Sequence, residues 1–453
     1  MVCLAALASP ARAQQPTPPA ADSAQARTAA DTAADSLRAR LQRAEEAIAL
    51  LQQQLATQAA SATQTATRAR FELSGRVLVN GFANSRRVNN VDVPQFVRPD
   101  TVAGVRQGGL GASIRQTTVT GAAFVPRVLG AEFRGDLTVD FFGGQPQPSP
   151  GAAPNPGGRH FPLVRLRLAR AFLRWRDVEV MAGHDVPLVA AVEPVSLAAI
   201  GVPEFGTAGN LWLWLPQLRL AYDHPIAFRD TRGPLRLGAQ VGVLAPNNGD
   251  QIGTAGAIET DFDLAERSRR PYVQGRVYAR WGEEDNAGEI GLGVHRGWIA
   301  PNLANTTALA TSEAVVATAL VPLGRFFDLR GEAYAGQAVR GLGGGGIAQT
   351  FISQATPTTP ARPLRTRAGW AQANLRLGDV LTLGGGAGID APRDDGFPAL
   401  PAFRRENRVY EAHAIARPEG PLVIGLTYRR LRTQYAARAF ANDHANLAIG
   451  FQF

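Results

Sequence analysis

From Phe71 to the last residue, polar and apolar side chains alternate with a period of two. Successive side chains of an extended chain point to opposite faces, so the pattern demands strands with one polar and one apolar side. Glu132, Arg134, Asp136, Thr138 and Asp140 alternate with Phe133, Gly135, Leu137, Val139 and Phe141. Gln274, Arg276, Tyr278 and Arg280 alternate with Val273, Val277, Ala279 and Trp281, and Asp328, Arg330 and Glu332 with Phe327, Leu329 and Ala333. A soluble sandwich also alternates, but its strands usually hold about 5–6 residues, whereas these reach the roughly ten that a tilted strand needs to cross a bilayer.

Following the alternation places strands at 71–83, 112–125, 130–142, 161–175, 178–185, 212–223, 234–245 and 271–281, then at 288–298, 312–322, 325–338, 364–377, 380–390, 406–416, 421–434 and 440–453. That makes sixteen, an even number, joined by connections that alternate between long and short. Long extracellular loops, short periplasmic turns and an even strand count are the marks of an outer-membrane barrel. The expected fold class is therefore all-β: a transmembrane antiparallel β-barrel of about sixteen strands over residues 70–453. The final strand, with Leu447, Ile449, Phe451 and Phe453 on one face, ends on an aromatic residue and resembles the assembly signal of bacterial outer-membrane barrels.

The amino-terminal portion reads differently. Residues 1–13 combine an apolar run with Ala11-Arg12-Ala13, an A-x-A cleavage site, and are expected to be a signal peptide. Residues 14–34, rich in Ala, Pro, Gln and Thr, form a flexible segment. Over 35–57, Leu37, Leu41, Ala44, Ile48, Leu51 and Leu55 recur at alternating spacings of 4 and 3, the seam of a short periplasmic coiled coil; a lone amphipathic helix packed on a neighbour is the other reading. Residues 58–69 are a linker. The single Cys, Cys3, falls within the signal peptide, so the exported chain would carry no disulfide, thiolate ligand or Cys nucleophile.

All 47 basic residues are Arg, against 38 carboxylates. With no Lys, a phosphate-binding GxxxxGK[ST] loop and Schiff-base chemistry are excluded. If the apolar faces meet lipid, the polar faces line a lumen. Strand parity sends inward Arg134, Arg165, Arg167, Arg219, Arg236, Arg276, Arg280, Arg330, Arg376 and Arg429, with Glu132, Asp136, Asp140, Asp328, Glu332 and Glu411 among them. Guanidinium stays charged at any working pH and forks onto carboxylate and phosphate oxygens, so such a wall favours anions unless each Arg pairs with a facing carboxylate. Arg165 and Arg167, with no carboxylate on their own strand, are the expected unpaired cations. The connection 186–211 is too apolar to lie in solvent and is expected to fold into the lumen as a constriction loop carrying Glu193 and Glu204, or to cover a subunit interface.

Catalysis is not favoured. His184-Asp185, Asp223-His224 and Asp443-His444 are adjacent residues that point to opposite faces of a strand, no HExxH or GxSxG motif occurs, and no cofactor or metal is expected. Gly343–Gly346 reads as loop, and Gly384–Gly386 as strand relief beside bulky neighbours. Arginines spread along strands argue against nucleic acid; outer-membrane lipid, and lipopolysaccharide at loop residues Arg86 and Arg87, are the expected anionic partners.

Arg170-Ala171-Phe172-Leu173-Arg174-Trp175, Ala182-Gly183-His184-Asp185 and Leu215-Pro216-Gln217-Leu218-Arg219-Leu220 resemble the trimeric 16-stranded porins of the phosphate-selective and DcaP-like group. The resemblance implies a homotrimer with a periplasmic stalk, located in the bacterial outer membrane and passing small anionic solutes, dicarboxylates foremost. The lysine cluster of phosphate-selective members is absent. A structural envelope barrel anchored by its stalk and a barrel hydrolase are the alternatives.

Overall fold

The structure, a computed structural model, describes residues 69–102, 104–143, 162–226, 235–249, 262–282, 287–301, 308–353, 356, 359–393, 396–398 and 400–453. The expected signal peptide, flexible segment, coiled-coil seam and nearly all of the linker lie outside these residues.

Sixteen antiparallel staves close on themselves. The first half comprises β1 (Arg70–Asn84), β2 (Gly109–Ser113 and Thr118–Val128), β3 (Ala131–Asp140), β4 (Arg165–Trp175), β5 (Val178–Asp185), β6 (Leu215–Ile226), β7 (Leu235–Leu244) and β8 (Tyr272–Trp281). The second comprises β9 (Gly288–Ile299), β10 (Ala310–Leu323), β11 (Phe327–Gln337), β12 (Arg365–Leu377), β13 (Leu381–Arg393), β14 (Arg404–Ala416), β15 (Leu422–Tyr435) and β16 (Ala439–Gln452). Each pairs with the next, and β1 pairs with β16 from Arg76↔Gln452 to Asn84↔His444, so among the described residues the barrel sheet has no free edge strand.

The second stave is broken. Gly109–Ser113 pairs with the upper part of β1 and Thr118–Val128 with the lower part. At the break the hydroxyl of Thr117 accepts the backbone N–H of Leu78 at 3.1 Å, standing in for a ladder bond. Gln116 is thereby turned out of the ladder and fully buried.

Alternating burial follows the alternating sequence. In β8, Tyr272, Gln274, Arg276 and Tyr278 are buried, while Val273 and Val277 are exposed. Outward Val79, Leu137, Leu220, Val241, Ile290, Leu292, Val315, Leu426 and Ile449 extend the same exposed apolar surface around the wall. A soluble protein rarely leaves so continuous an apolar belt open to water.

One end of the barrel carries the connections 85–108, 141–164, 186–214, 245–271, 300–309, 338–364 and 394–403, with only 436–438 short. The other carries 129–130, 176–177, 227–234, 282–287, 324–326, 378–380 and 417–421. Left-handed glycines close several of these tight turns, among them Gly130 at φ 78° and Gly324 at φ 70°.

Strand positions agree with the alternation to within about four residues, the largest differences including β4, which begins at Arg165 and not at 161, and β6, which begins at Leu215 and not at 212. Trp212 and Leu213 are withheld from the wall because their backbone N–H groups donate to the Leu342 carbonyl at 3.0 and 3.1 Å.

Candidate functional site

The connection 186–214 turns inward and is fastened to wall residues on opposite sides of the barrel. Gln274 of β8 accepts from Val189 N–H at 3.3 Å, and Gln372 of β12 clasps Val195 at both N–H and carbonyl, at 2.7 and 3.0 Å. Asn80 of β1 donates to the Leu197 carbonyl at 3.0 Å. Gln116, freed by the break in β2, donates to Ala198 and accepts from Ile200 and Gly201 at 3.2, 2.8 and 2.7 Å. Glu332 of β11 accepts from Leu211 N–H at 3.0 Å. An inward loop must satisfy its backbone polar groups without water, and these polar wall side chains do so.

Apolar contacts reinforce the fastening. Val192, Phe205 and Ala208 pack with Val97, Trp370, Val409 and Leu431, and Leu197 and Ile200 pack with Leu78, Ile415 and Val423. The wall is thinned to receive the loop: a Cβ on Gly388 would stand 2.2 Å from the Ala208 carbonyl oxygen, and one on Gly386 would meet the Phe205 ring at 3.0 Å. Gly384 makes room for His413 in the same way, and Gly343 lies against Trp212 and Leu213. Every residue from Leu197 to Leu211 is buried, whereas Ala191 and Glu193 are exposed and Pro194–Ser196 half-buried. The loop therefore presents one edge, 191–196, to open space.

Most of the arginines assigned to the wall are paired. Arg134 meets Asp136 at 3.1 Å, Arg219 meets Asp185 at 3.4 Å, Arg236 meets Asp223 at 2.8 Å and Arg330 meets Asp328 at 2.9 Å. Arg276 and Arg280 share Glu289, and Arg376 also has a partner. Arg429 and Glu204 face each other at 2.5 Å, both fully buried; Glu204 is thus a contact between loop and wall, not a charge facing water. Arg165 is not the unpaired cation expected. Asp140 of the neighbouring strand takes its guanidinium at two points, 3.0 and 2.6 Å, and Arg165 also donates to the Gly201 carbonyl.

Arg167 is different. A register shift opposite Thr138 and Val139 accommodates one extra residue in β4. Arg167 sits at this bulge over the Trp214 ring at 5.0 Å, and its Nε is buried with no hydrogen-bond partner. It lies within electrostatic reach of Glu193 and of Arg76, which in turn faces Arg417. None of these three arginines has a carboxylate at ion-pair distance among the described residues. Arg330 adds a fourth cation beside the loop, donating to the Glu193 carbonyl at 3.1 Å.

Arg76 and Arg417 were not among the sequence candidates. Inward parity in β1, where Leu78, Asn80 and Phe82 are buried, points to Arg76. Arg417 follows β14 in a turn, where parity gives no signal. The same bulge brings in Arg170, which bridges Asp136 and Asp185 at 2.8 and 3.2 Å.

The histidine pairs do not assemble catalytic sites. Asp185 is held by Arg170 and Arg219, Asp223 by Arg236 and Arg280, and Asp443 by Arg430. His413 does contact Glu411, two residues back, at 3.1 Å, but both side chains are 1% exposed and closed to a substrate. Of the loop arginines, Arg86 pairs with Asp100 at 2.5 Å, and Arg87 donates to the Pro99 carbonyl at 3.4 Å.

No protein-family model matches the chain, and no curated protein does. Among solved structures, it is similar to the outer membrane channel DcaP of Acinetobacter baumannii, with 13% identity, a TM-score of 0.59, and coverage of 85% of this chain and 97% of that one. It is also similar to an anion-selective porin from Comamonas acidovorans, with 14% identity, a TM-score of 0.51, and coverage of 85% and 100%. At this identity the likeness concerns the fold, and the fold of this chain is the closed sixteen-stranded barrel of the outer-membrane porins.

Proposed function

We propose that the protein is a bacterial outer-membrane porin, allowing passive diffusion of small hydrophilic anions, dicarboxylates foremost, past a constriction formed by the loop 186–214. The long-loop end would face outward, and residues 35–57 would form a periplasmic coiled coil holding a homotrimer. One observation carries the reading: Arg76 and Arg167 lie within electrostatic reach of Glu193 on the open edge of the lumen loop, Arg417 lies within reach of Arg76, and none of the three has a carboxylate at ion-pair distance among the described residues. Fixed positive charge at a narrow point lowers the barrier for anions and raises it for cations, and a barrel of this size with an apolar outer wall encloses water. Because the remaining wall arginines are largely neutralised, selectivity would rest on these three and not on a continuous ladder.

The test is the reversal potential of the purified protein in a planar bilayer across a tenfold KCl gradient. Conductance steps in threes with a chloride-favouring potential support the reading. A cation-favouring potential removes the anion assignment and keeps the pore.

A second reading, a structural barrel without transport, is favoured by the unbroken burial of Leu197–Leu211. It predicts folded, heat-modifiable protein that produces no steps.

A further inference from the structure

The outward wall carries a charge arrangement that the pore does not use. Arg365 and Arg367 of β12 and Arg393 of β13 all point away from the lumen and are exposed. Arg365 stands directly opposite Arg393 in the ladder, and Arg367 is opposite Ala391, one inward-and-outward repeat further along. Like charges directly opposite on one face of a sheet repel. Other outward arginines nearby are neutralised: Arg296 by Glu313, Arg408 by Glu406 and Arg430 by Asp443. Arg365, Arg367 and Arg393 have no carboxylate at ion-pair distance among the described residues, so three cations crowd a stretch of wall with nothing to offset them.

Two adjoining outward grooves, of about 700 and 660 Å³, share Arg367 and Arg393 as rim residues. The first groove is mixed, with Val315 and Ala335 beside the ion-paired Arg296 and Glu313, whereas the floor of the second is apolar and small, with Ala371, Ala387 and Ile389. The arginines lie at the long-loop end, since β12 begins at Arg365 and β13 ends at Arg393. The apolar floor of the second groove continues from there toward the middle of the wall. A ligand matching this surface needs an anionic head for the guanidinium forks and a hydrocarbon body for that floor.

We propose that Arg365, Arg367 and Arg393 bind the phosphate of a phosphorylated glycolipid in the leaflet at the long-loop end, its acyl chains lying along the apolar floor of the second groove. Guanidinium pairs bidentately with phosphate oxygens, and an anion between Arg365 and Arg393 converts their repulsion into a bridge. The proposal rests on the membrane reading above. It concerns the wall and not the loops, where Arg86 and Arg87 are already engaged.

The test compares retention of diphosphoryl lipid A by the full-length protein in detergent, read by native mass spectrometry, with that of the double variant Arg365→Gln/Arg393→Gln. Removing facing like charges relieves repulsion, so the variant should fold; Arg393→Lys, which keeps the charge and loses the fork, is a second variant. The wild type should retain diphosphoryl lipid A about tenfold or more better than the double variant. Arg296→Gln should bind as the wild type does, and dephosphorylated lipid A should bind neither well. Equal retention by wild type and double variant overturns the proposal. So does full competition by inorganic phosphate, which would mark a free-anion site, or a change of oligomer mass without loss of lipid, which would mark an interface between copies. Single-channel conductance of the same preparations separates the two readings: it should not differ between wild type and double variant, and a protein that binds lipid but never conducts overturns the porin reading alone.

Discussion

At the scale of single residues, whether an arginine can act on a solute depends on whether it has a partner. A unit charge about 7 Å from an ion in water contributes on the order of 0.6 kcal/mol unscreened and about 0.3 kcal/mol at roughly 0.1 M salt, less than a twofold change for one ion and, because anion and cation respond oppositely, roughly a two- to threefold change in their ratio. Arg167→Gln and Arg76→Gln are each expected to lower the chloride-to-potassium permeability ratio by about that factor, read from the reversal potential. Arg276→Gln should leave the ratio nearly unchanged and instead lower stability, because Glu289 would keep only Arg280. Glu204 gives a prediction in pH. Burial pushes its carboxyl up to about 7 from 4.5, with Arg429 opposing the rise. The folded protein then holds this proton more tightly than the unfolded chain does. The contribution to stability is full below pH 4.5 and is lost as pH climbs through about 7. Unfolding measured across that window should show a downward slope for the native chain and a flatter one for Glu204→Gln; equal slopes would remove Glu204 as the cause.

At the scale of elements, the loop 186–214 is held as much by the wall's omissions as by its contacts. Gln116 makes three hydrogen bonds to loop backbone from a fully buried position. Gln116→Ala would leave those groups unsatisfied, at a cost on the order of 3 kcal/mol. A lower heat-unfolding midpoint and noisier open-channel current are the expected results. Gly388→Val should be more severe, because its side chain would occupy the place of Ala208; a larger mean conductance would report a displaced loop. What the sequence disclosed at this scale was governed by period. Sixteen alternating segments gave the staves, and the apolar run after Asp185 gave the inward loop. A strict period of two, however, sends Arg170 outward and counts Arg167 with Arg165, and it cannot register the bulge that separates them. Cross-strand partners such as Asp140 for Arg165 depend on register, which no single strand encodes. Arg417 in its turn and the break at Gln116 left no periodic signal.

At the scale of the whole molecule, the barrel and the amino-terminal segment are separable claims. If residues 35–57 hold the oligomer, Leu41→Asp/Ile48→Asp should lower the oligomer mass in mild detergent while the barrel keeps its heat-modifiable migration. A mass unchanged from the wild type would move the oligomer contacts to the barrel wall.

The seam between β1 and β16 bears on how the chain is made. Asn80 and Asn446, bonded across it, are 366 residues apart in sequence, and Glu204 finds its partner only when β15 is in place. Contacts of such separation form slowly, and until then the chain exposes apolar faces that aggregate. A chain without β16 cannot close, so the fourteen residues of that strand, Ala439–Gln452, decide whether the other fifteen staves become a barrel.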